Sequence, residues 1–316
     1  MKYYLGIDLG GTNIAAGVVD EEYKIIAKAK TPTLRHRTAE EIVNSMADVA
    51  SEAVKEAALS LEDIESIGVG SPGTVDSDRG IIVYANNIGF LNTPVGDMLF
   101  EKLGRPVYVE NDANAAAYGE FVAGSAKDAN SAVCITLGTG VGGGIIIDGK
   151  IYSGFNYAGA ELGHTVIEVD GAQCTCGRRG CFEAYSSATG LIRMTKEAMD
   201  AHPESKMHEM MSDHISGRLA FNAMRANDSA AAGVVEKYIK YLAAGITNVI
   251  NIFQPEVLCI GGGVCNEGSA LLDPLKKIIS QEVYTRRSDK NTEIVIASLG
   301  NDAGIIGAAF LGRSKA

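Results

Sequence analysis

Four side chains able to bind a soft metal lie close together in the run GHTVIEVDGAQCTCGRRGCFEAYSS: His164, Cys174, Cys176 and Cys181. The cysteines are spaced C-x-C-x4-C, and the histidine stands 174 − 164 = 10 residues upstream. Three sulfurs and one nitrogen are a set that a closed tetrahedral zinc site takes. A disulfide between two of the thiols and three unconnected thiols are the alternatives. The first needs an oxidising compartment, and the second leaves the dense spacing without a reason. With four protein ligands no position stays open for a substrate, so the metal would be structural.

Glycine-rich turns offer a second chemistry. DLGGTN (Asp8 to Asn13) and ITLGTGVGGG (Ile135 to Gly144) each put glycines between apolar runs. Glycine tolerates positive φ and leaves backbone N–H groups open to a ligand, so concave turns of this kind hold phosphate oxygens. A nucleoside triphosphate is the natural guest. Gly138, Gly140 and Gly143 match G-x-G-x-x-G, yet the following GIIID reads as a strand where a dinucleotide fold needs a helix. No G-x-x-x-x-G-K-[ST] motif occurs. LGIDLGGTNIAAGVV, from Leu5, lies over VCITLGTGVGGGIII, from Val133, at an offset of 133 − 5 = 128 residues. Both read as strand, glycine turn, strand, the pattern of a duplicated α/β domain; a chance likeness of two glycine hairpins is the alternative.

A third chemistry sits in ENDANAAAYGE, where Asn111 and Asp112 fall at a strand-to-helix junction. Such a junction projects polar side chains from a rigid scaffold. By itself Asp112 reads equally as a polar site residue or as a helix N-cap.

The elements that must position these groups alternate between β and α. KYYLGID, IAAGVVD and KIIAKAK read as three consecutive strands. TAEEIVNSMADVASEAVKEAAL opens on a Thr38 to Glu41 capping box and carries Ile42, Met46, Val49, Ala53 and Val54 at helical spacing. IESIGVGSPG is a buried strand running into a loop, PVYVEND a further strand, and ANAAAYGEFVAG a helix. SAVCITLGTGVGGGIIIDGKI gives two strands around a glycine turn. From about residue 188 the chain is mostly helical through VVEKYIKYLAAGITNVINIF; then EVLCIGGG, EIVIAS and a closing AGIIGAAFLG restore the alternation.

Composition narrows the function classes. A chain of 316 residues is long enough for two domains. The balance 28 − 39 = −11 opposes a phosphate-backbone binder, so nucleic acid is not an expected partner. No run approaches the roughly 20 apolar residues of a membrane span, and MKYYLGIDLGG lacks the pattern of a signal peptide. Six cysteines without secretion signals fit a reducing cytoplasm. His36, His202, His208 and His214 read as solvated surface residues, and Cys134, Cys259 and Cys265 as small buried hydrophobes.

In order, DLGGTN, ITLGTGVGGG and CIGGGV (Cys259 to Val264) resemble the two phosphate segments and the adenosine segment of the hexokinase, actin and Hsp70 ATPase superfamily. Within it, GAELGHTVIEVDGAQCTCGRRGCFEAYSS resembles the signature of the ROK family of bacterial sugar kinases and sugar-responsive repressors, and the likeness spans essentially the whole chain. The resemblance implies a two-lobed α/β fold of duplicated ribonuclease H-like domains, with a zinc-binding loop and a helical insertion. Residues 1–112 with 303–316 would form a small lobe closed by the C-terminal helix, and 113–302 the larger one. The lobes would close over the substrates and exclude water.

It also implies ATP, magnesium and structural zinc as cofactors. The reaction would be phosphorylation of a hexose at its 6-hydroxyl, foremost glucose to glucose 6-phosphate. Another hexose such as N-acetylmannosamine, mannose or fructose, or a sugar-responsive regulator, is the alternative. By resemblance Gly10, Gly11, Thr12 and Asn13 would meet the β- and γ-phosphates, Asp8 would hold magnesium through water, Gly138, Thr139 and Gly140 would form the second clamp, and Gly261, Gly262 and Gly263 would back the adenosine. Asp112 would be the catalytic base, with Gly73, Asn87, Asn111, Glu161, His164 and Glu183 around the sugar. One ring nitrogen of His164 would bind zinc and the other meet a sugar hydroxyl, so metal loss should weaken sugar binding and spare ATP. Asn86 and Phe90 stand where the family commonly has proline and tryptophan, a departure close to the sugar loop.

A repressor is disfavoured by Asp112 and by Met1 standing too near the first strand for a helix-turn-helix domain; an Hsp70-like chaperone would need a peptide-binding domain. No membrane partner is expected, and the assembly would be a homodimer or a dimer of dimers.

Overall fold

The computed structural model describes residues 1–314, whose contacts form two compact units. One comprises Met1–Cys134, Gly144–Ala160 and the segment from Ala297; the other comprises Ile135–Gly143 and Glu161–Ile296. The chain opens with β1 (Tyr3–Leu9), β2 (Asn13–Asp20) and β3 (Ile25–Pro32), paired antiparallel in sequence. Helix α1 (Ala39–Glu56) starts at the expected capping box: Thr38 N donates to Glu41 at 2.8 Å and Glu41 N to the Thr38 hydroxyl at 3.3 Å. Next come β4 (Ile64–Ser71), then β5 (Thr74–Asp76), β6 (Ile81–Ala85) and β7 (Phe90–Thr93) in a small antiparallel sheet, and α2 (Val95–Leu103). Strand β8 (Val107–Asn111) leads directly into α3 (Asp112–Val122).

Beyond α3 run β9 (Ala132–Leu137), β10 (Val141–Ile147) and the short β11 (Lys150–Ile151). Helices α4 (Phe182–Ser186), α5 (Ala188–Ala201), α6 (Met207–Met210), α7 (Leu219–Arg225) and α8 (Ser229–Phe253) follow. The chain closes with β12 (Val257–Gly261), α9 (Ser269–Glu282), β13 (Glu293–Ile296), α10 (Ala303–Ala309) and α11 (Leu311–Ser314). Among the described residues no helix is long and apolar enough to cross a membrane.

The duplication expected from the sequence recurs in the topology. One sheet has the order β3-β2-β1-β4-β8 and the other β11-β10-β9-β12-β13. Adding the offset of 128 to the end of β1 and the start of β2 gives 9 + 128 = 137 and 13 + 128 = 141, the end of β9 and the start of β10.

In the first unit Leu5, Ile7 and Leu9 of β1 and Ile14 and Val18 of β2 join Ile42, Met46 and Val49 of α1 in a core closed to water. Helix α10 seals the sheet by backbone contact. A Cβ on Gly68 of β4 would stand 1.7 Å from the Ala308 carbonyl oxygen, and one on Gly119 of α3 would stand 2.2 Å from that of Ala303. Glycine at these positions brings α10 against β4 and α3. That packing keeps α3 with the N-terminal sheet, in the unit that holds Met1–Cys134.

Candidate active site and metal-binding loop

Strands β1, β4 and β8 are parallel, and their C-terminal ends coincide: Asp8 is level with Gly70, Gly70 with Glu110, and Ser71 with Asn111. Carboxyl ends of parallel strands are where α/β sheets carry ligands. The helix cap there is Asn111, whose Oδ1 accepts from the N–H groups of Ala113 at 2.9 Å and Asn114 at 3.2 Å. Of the two readings of Asp112, the N-cap is therefore corrected: Asn111 takes that place, and Asp112 is the first residue of the helix. The Asn111 amide also donates to the Gly73 carbonyl at 3.0 Å, with Gly73 at φ +91°. Three expected sugar-site residues, Gly73, Asn111 and Asp112, are thus gathered at one strand end. Asn87 is exposed in the turn Asn86–Ile88, and its Cβ lies 3.8 Å from where a Cβ on Gly11 would stand.

Burial raises the Asp112 carboxyl above the ordinary aspartate range, against the pull of the Ala113 N–H it accepts at 2.8 Å. Asp8 is pushed up to about 6, chiefly by burial and then by the charge of Asp112. Two carboxylates that oppose each other's ionisation suit a hard divalent cation, which binds oxygen ligands and removes the repulsion. Asp8 fits the magnesium role on this ground. Because the folded value is raised from 3.8 to about 6, ionising Asp8 weakens folding as pH rises through that window; the cost is absent below it and full above. In the ligand-free protein Asp8→Asn is expected to add up to about 3 kcal/mol at pH 7, a gain that vanishes towards pH 4. Urea denaturation at the two pH values checks it; an equal effect at both would remove the charge as cause.

Two positioning residues were not among the sequence candidates. Glu110, only 4% exposed, accepts from the Asn111 N–H at 2.8 Å, the Asn114 amide at 3.0 Å and the Ser153 hydroxyl at 3.0 Å. Its place in END, next to the two site residues, was the available signal. Thr33 donates its hydroxyl to the Gly10 carbonyl at 2.6 Å and its N–H to the Thr12 carbonyl at 2.8 Å, fixing the first glycine turn. That contact crosses from the end of β3, and nothing near Thr33 in the sequence signals it. Gly10 N donates to Asn13 O at 2.9 Å, closing the turn.

In the second unit the turn at Gly138, Thr139 and Gly140 is held from several sides. Gly138 N donates to Gly140 O at 3.0 Å, Ala188 N to Gly138 O at 2.8 Å, and the Thr189 hydroxyl to Thr139 O at 2.8 Å. A Cβ on Gly138 would meet nothing within 4 Å, so its outer face is open. Gly261 ends β12, and Gly262 (φ +97°) lies so close to Leu137 that a Cβ would be 2.3 Å from its carbonyl oxygen. Gly263 meets no such obstacle.

His164, Cys174, Cys176 and Cys181 come together as the spacing suggested, their ligand atoms all within 4.8 Å of one another. Cys174 Sγ stands 3.7 Å from His164 Nδ1, and Cys176 Sγ stands 3.7 Å from Cys181 Sγ. A tetrahedral zinc with Zn–S near 2.3 Å and Zn–N near 2.0 Å implies edges of about 3.8 Å between sulfurs and about 3.5 Å between sulfur and nitrogen. The donor set and its spacing therefore fit zinc, whereas a disulfide needs sulfurs about 2.05 Å apart. Two short bridges, Val166 to Cys181 and Gln173 to Arg179, shape the loop. Without a cation, burial and the neighbouring thiols push Cys181 up to about 12, while the Arg178 N–H lowers Cys176. The other ring nitrogen of His164, Nε2, lies 4.0 Å from a Glu161 carboxylate oxygen. Glu183, two residues after Cys181, accepts from Val141 N at 3.0 Å through one oxygen and from the Thr175 hydroxyl at 3.2 Å through the other. His36, His202, His208 and His214 are exposed, and Cys134, Cys259 and Cys265 are buried, as their surroundings in the sequence suggested.

Two like-ordered sheets, each opening with a strand, glycine turn and strand, define the duplicated α/β class shared by hexokinase, actin and the Hsp70 ATPase. The model of the ROK family matches residues 4–315, and the chain belongs to that family. A curated relative named glucokinase, from Halalkalibacterium halodurans, is 39% identical over 99% of this chain and 96% of its own. A solved ROK family glucokinase from Streptomyces griseus, in complex with glucose and AMPPNP, is 37% identical with a TM-score of 0.80, covering 98% of this chain and 99% of that one. The ROK hexokinase from Thermus thermophilus is 33% identical with a TM-score of 0.82, covering 99% and 100%.

Proposed function

We propose that this chain catalyses the ATP-dependent phosphorylation of glucose at its 6-hydroxyl. The observation that carries the reading is the likeness, over 98% of this chain and 99% of the other, to a glucokinase solved with glucose and AMPPNP. Asp112 accepts the proton of the sugar 6-hydroxyl as that oxygen bonds to the γ-phosphorus and the bond from phosphorus to the ADP oxygen breaks. Its raised pKa makes it a stronger base than an ordinary aspartate, which supports the role. Transfer passes through a loose transition state, so holding the phosphates and neutralising their charge supplies most of the acceleration. The turns at Gly10 to Asn13 and Gly138 to Gly140 would hold the phosphates through the backbone N–H groups that the turns do not themselves use, and Asp8 would hold magnesium, which would neutralise phosphate charge. Gly261 to Gly263 back the adenosine. Asn111, Gly73 and Asn87 of one unit and Glu161, His164 and Glu183 of the other would be the sugar ligands, suited to hydroxyls that each donate and accept. Zinc held by His164 and the three cysteines is structural. A cluster of reduced thiols supports a cytoplasmic location.

A coupled assay of glucose 6-phosphate formation with ATP, run beside mannose, fructose and N-acetylmannosamine, tests the reading. Turnover fastest on glucose is expected; no phosphorylation of any hexose would overturn it. Gly11→Val and Gly138→Val add bulk on faces where the structure has room, so both variants should fold. Each is expected to weaken ATP binding by about tenfold or more, the value of one or two lost hydrogen bonds to a charged group. Calorimetric titration with AMPPNP checks this, and unchanged affinity in both would remove the turns from the phosphate site.

A further inference from the structure

Glu183 joins two sites that the sequence treats as separate. One carboxylate oxygen accepts from the Val141 N–H, at the end of the second glycine turn, at 3.0 Å. The other accepts from the Thr175 hydroxyl, between two cysteines of the metal loop, at 3.2 Å. Cys174 Sγ also approaches that oxygen, at 3.6 Å. A metal-bound sulfur has no proton to give, so Thr175 carries the link on the loop side. A Cβ on Gly140 would stand 2.2 Å from Glu183 Oε2, so glycine there lets the carboxylate lie against the turn. The helix that carries Glu183 is itself anchored. Phe182 is fully buried against Gly245 of α8, and the Tyr238 hydroxyl of α8 donates to the Ser186 carbonyl at 2.7 Å. Glu183 is therefore a short strut from a fixed helix, braced on the metal loop and ending on the phosphate turn.

We propose that Glu183 is a positioning residue for nucleotide binding, through which the order of the metal loop sets the conformation of the turn at Gly138 to Val141. This rests on the functional reading above and revises an expectation drawn from the family resemblance in the sequence, that metal loss would spare ATP. A carboxylate accepting from a backbone N–H makes a strong, charge-assisted bond. It fixes the peptide plane next to Gly140, and with it the direction of neighbouring N–H groups. A loop that loses its metal frees Thr175, and the carboxylate loses the brace that holds it on Val141.

The test uses zinc-loaded full-length protein, with zinc content measured by elemental analysis for every sample. In Glu183→Ala, amide exchange at residues 138–141 should speed up by about tenfold or more, and AMPPNP affinity without sugar should fall by a similar factor. Glu183→Gln keeps an acceptor for Val141 and should restore most of both. Thr175→Val, which removes only the loop-side bond, should shift both in the same direction by a smaller factor. Stripping zinc from the unmutated protein should have an effect between those of Thr175→Val and Glu183→Ala, and stripping it from Glu183→Ala should add less than about twofold, because the strut is already gone. Unchanged exchange in zinc-loaded Glu183→Ala overturns the proposal. So does a zinc effect on AMPPNP affinity as large in Glu183→Ala as in the unmutated protein. Failure of the unmutated protein to bind AMPPNP would instead sink the functional reading, while the exchange data still decide whether Glu183 couples loop and turn.

Discussion

Asp112→Asn is expected to lower kcat for glucose phosphorylation by about 100- to 10,000-fold, the span of a lost general base, and to leave glucose affinity within about tenfold. The split follows from the local structure. The cap of α3 is Asn111, which keeps its bonds to Ala113 and Asn114 when Asp112 changes, so the helix start survives. Asparagine preserves shape and can still accept from the Ala113 N–H, but it cannot take up a proton at neutral pH. The melting temperature should stay the same or rise, because a buried carboxylate whose charge is disfavoured has been neutralised. Removing that charge also relieves Asp8, whose value should fall back from about 6. Asn111→Ala provides the contrast. It removes the cap, costing about 1 kcal/mol, and the bond to Gly73, so stability and glucose affinity should both suffer. A kcat for Asp112→Asn within about threefold of the unmutated protein would remove Asp112 as the base.

The fold was legible where local chemistry and burial agreed. Thr38 and Glu41 are three residues apart, so their capping box can be read from four letters. The duplication was legible because the 128-residue offset preserves both the strand ends and the glycine turn. Long-range close packing was not. Gly68 and Gly119 look like any other glycines in a strand and a helix, and only α10, some 200 residues away in the chain, explains them.

In the site, residue types at short spacing were the readable part. The metal cluster is one loop with its ligands in order, and Asn111 and Asp112 sit at a strand end. Which of those two neighbours caps the helix depends on backbone geometry that composition does not carry, since both are good caps. Thr33 and Glu110 bond backbone and amide groups of the site, and a hydroxyl or a carboxylate has many possible partners in a sequence. Glu183 was visible as a polar residue beside Cys181. Its bond to Val141 joins positions 42 residues apart and appears only in three dimensions.

Removal of zinc, by a chelator or by Cys181→Ser, is expected to loosen the loop from His164 to Glu183. Elemental analysis should first find about one zinc per chain, from the four-ligand count. The loop is poor in regular structure: two short bridges and scattered bonds, such as Cys174 N to Arg178 O at 2.9 Å, hold it beside the metal cluster. A structural zinc supplies folding free energy directly, because the ligands come together only in the folded state. Arg178 and Arg179 are exposed within the loop, and Arg178 is tied back to the His164 carbonyl at 3.1 Å. The metal-free protein should therefore be cut by trypsin at these arginines at least tenfold faster, while cleavage elsewhere changes little. Glucose affinity should fall by about 100-fold or more, the cost of misplacing several hydrogen-bonding groups at once. His164 stands with Nδ1 on the cluster and Nε2 beside Glu161, so one ring orients two of the proposed sugar ligands, and Glu183 follows Cys181 by two residues. Cys181→Ser should lose more than Cys176→Ser, because Cys181 is fully buried at the start of α4 whereas Cys176 is exposed. Equal trypsin rates and equal glucose affinity with and without zinc would show that the four side chains meet for a reason other than holding a metal.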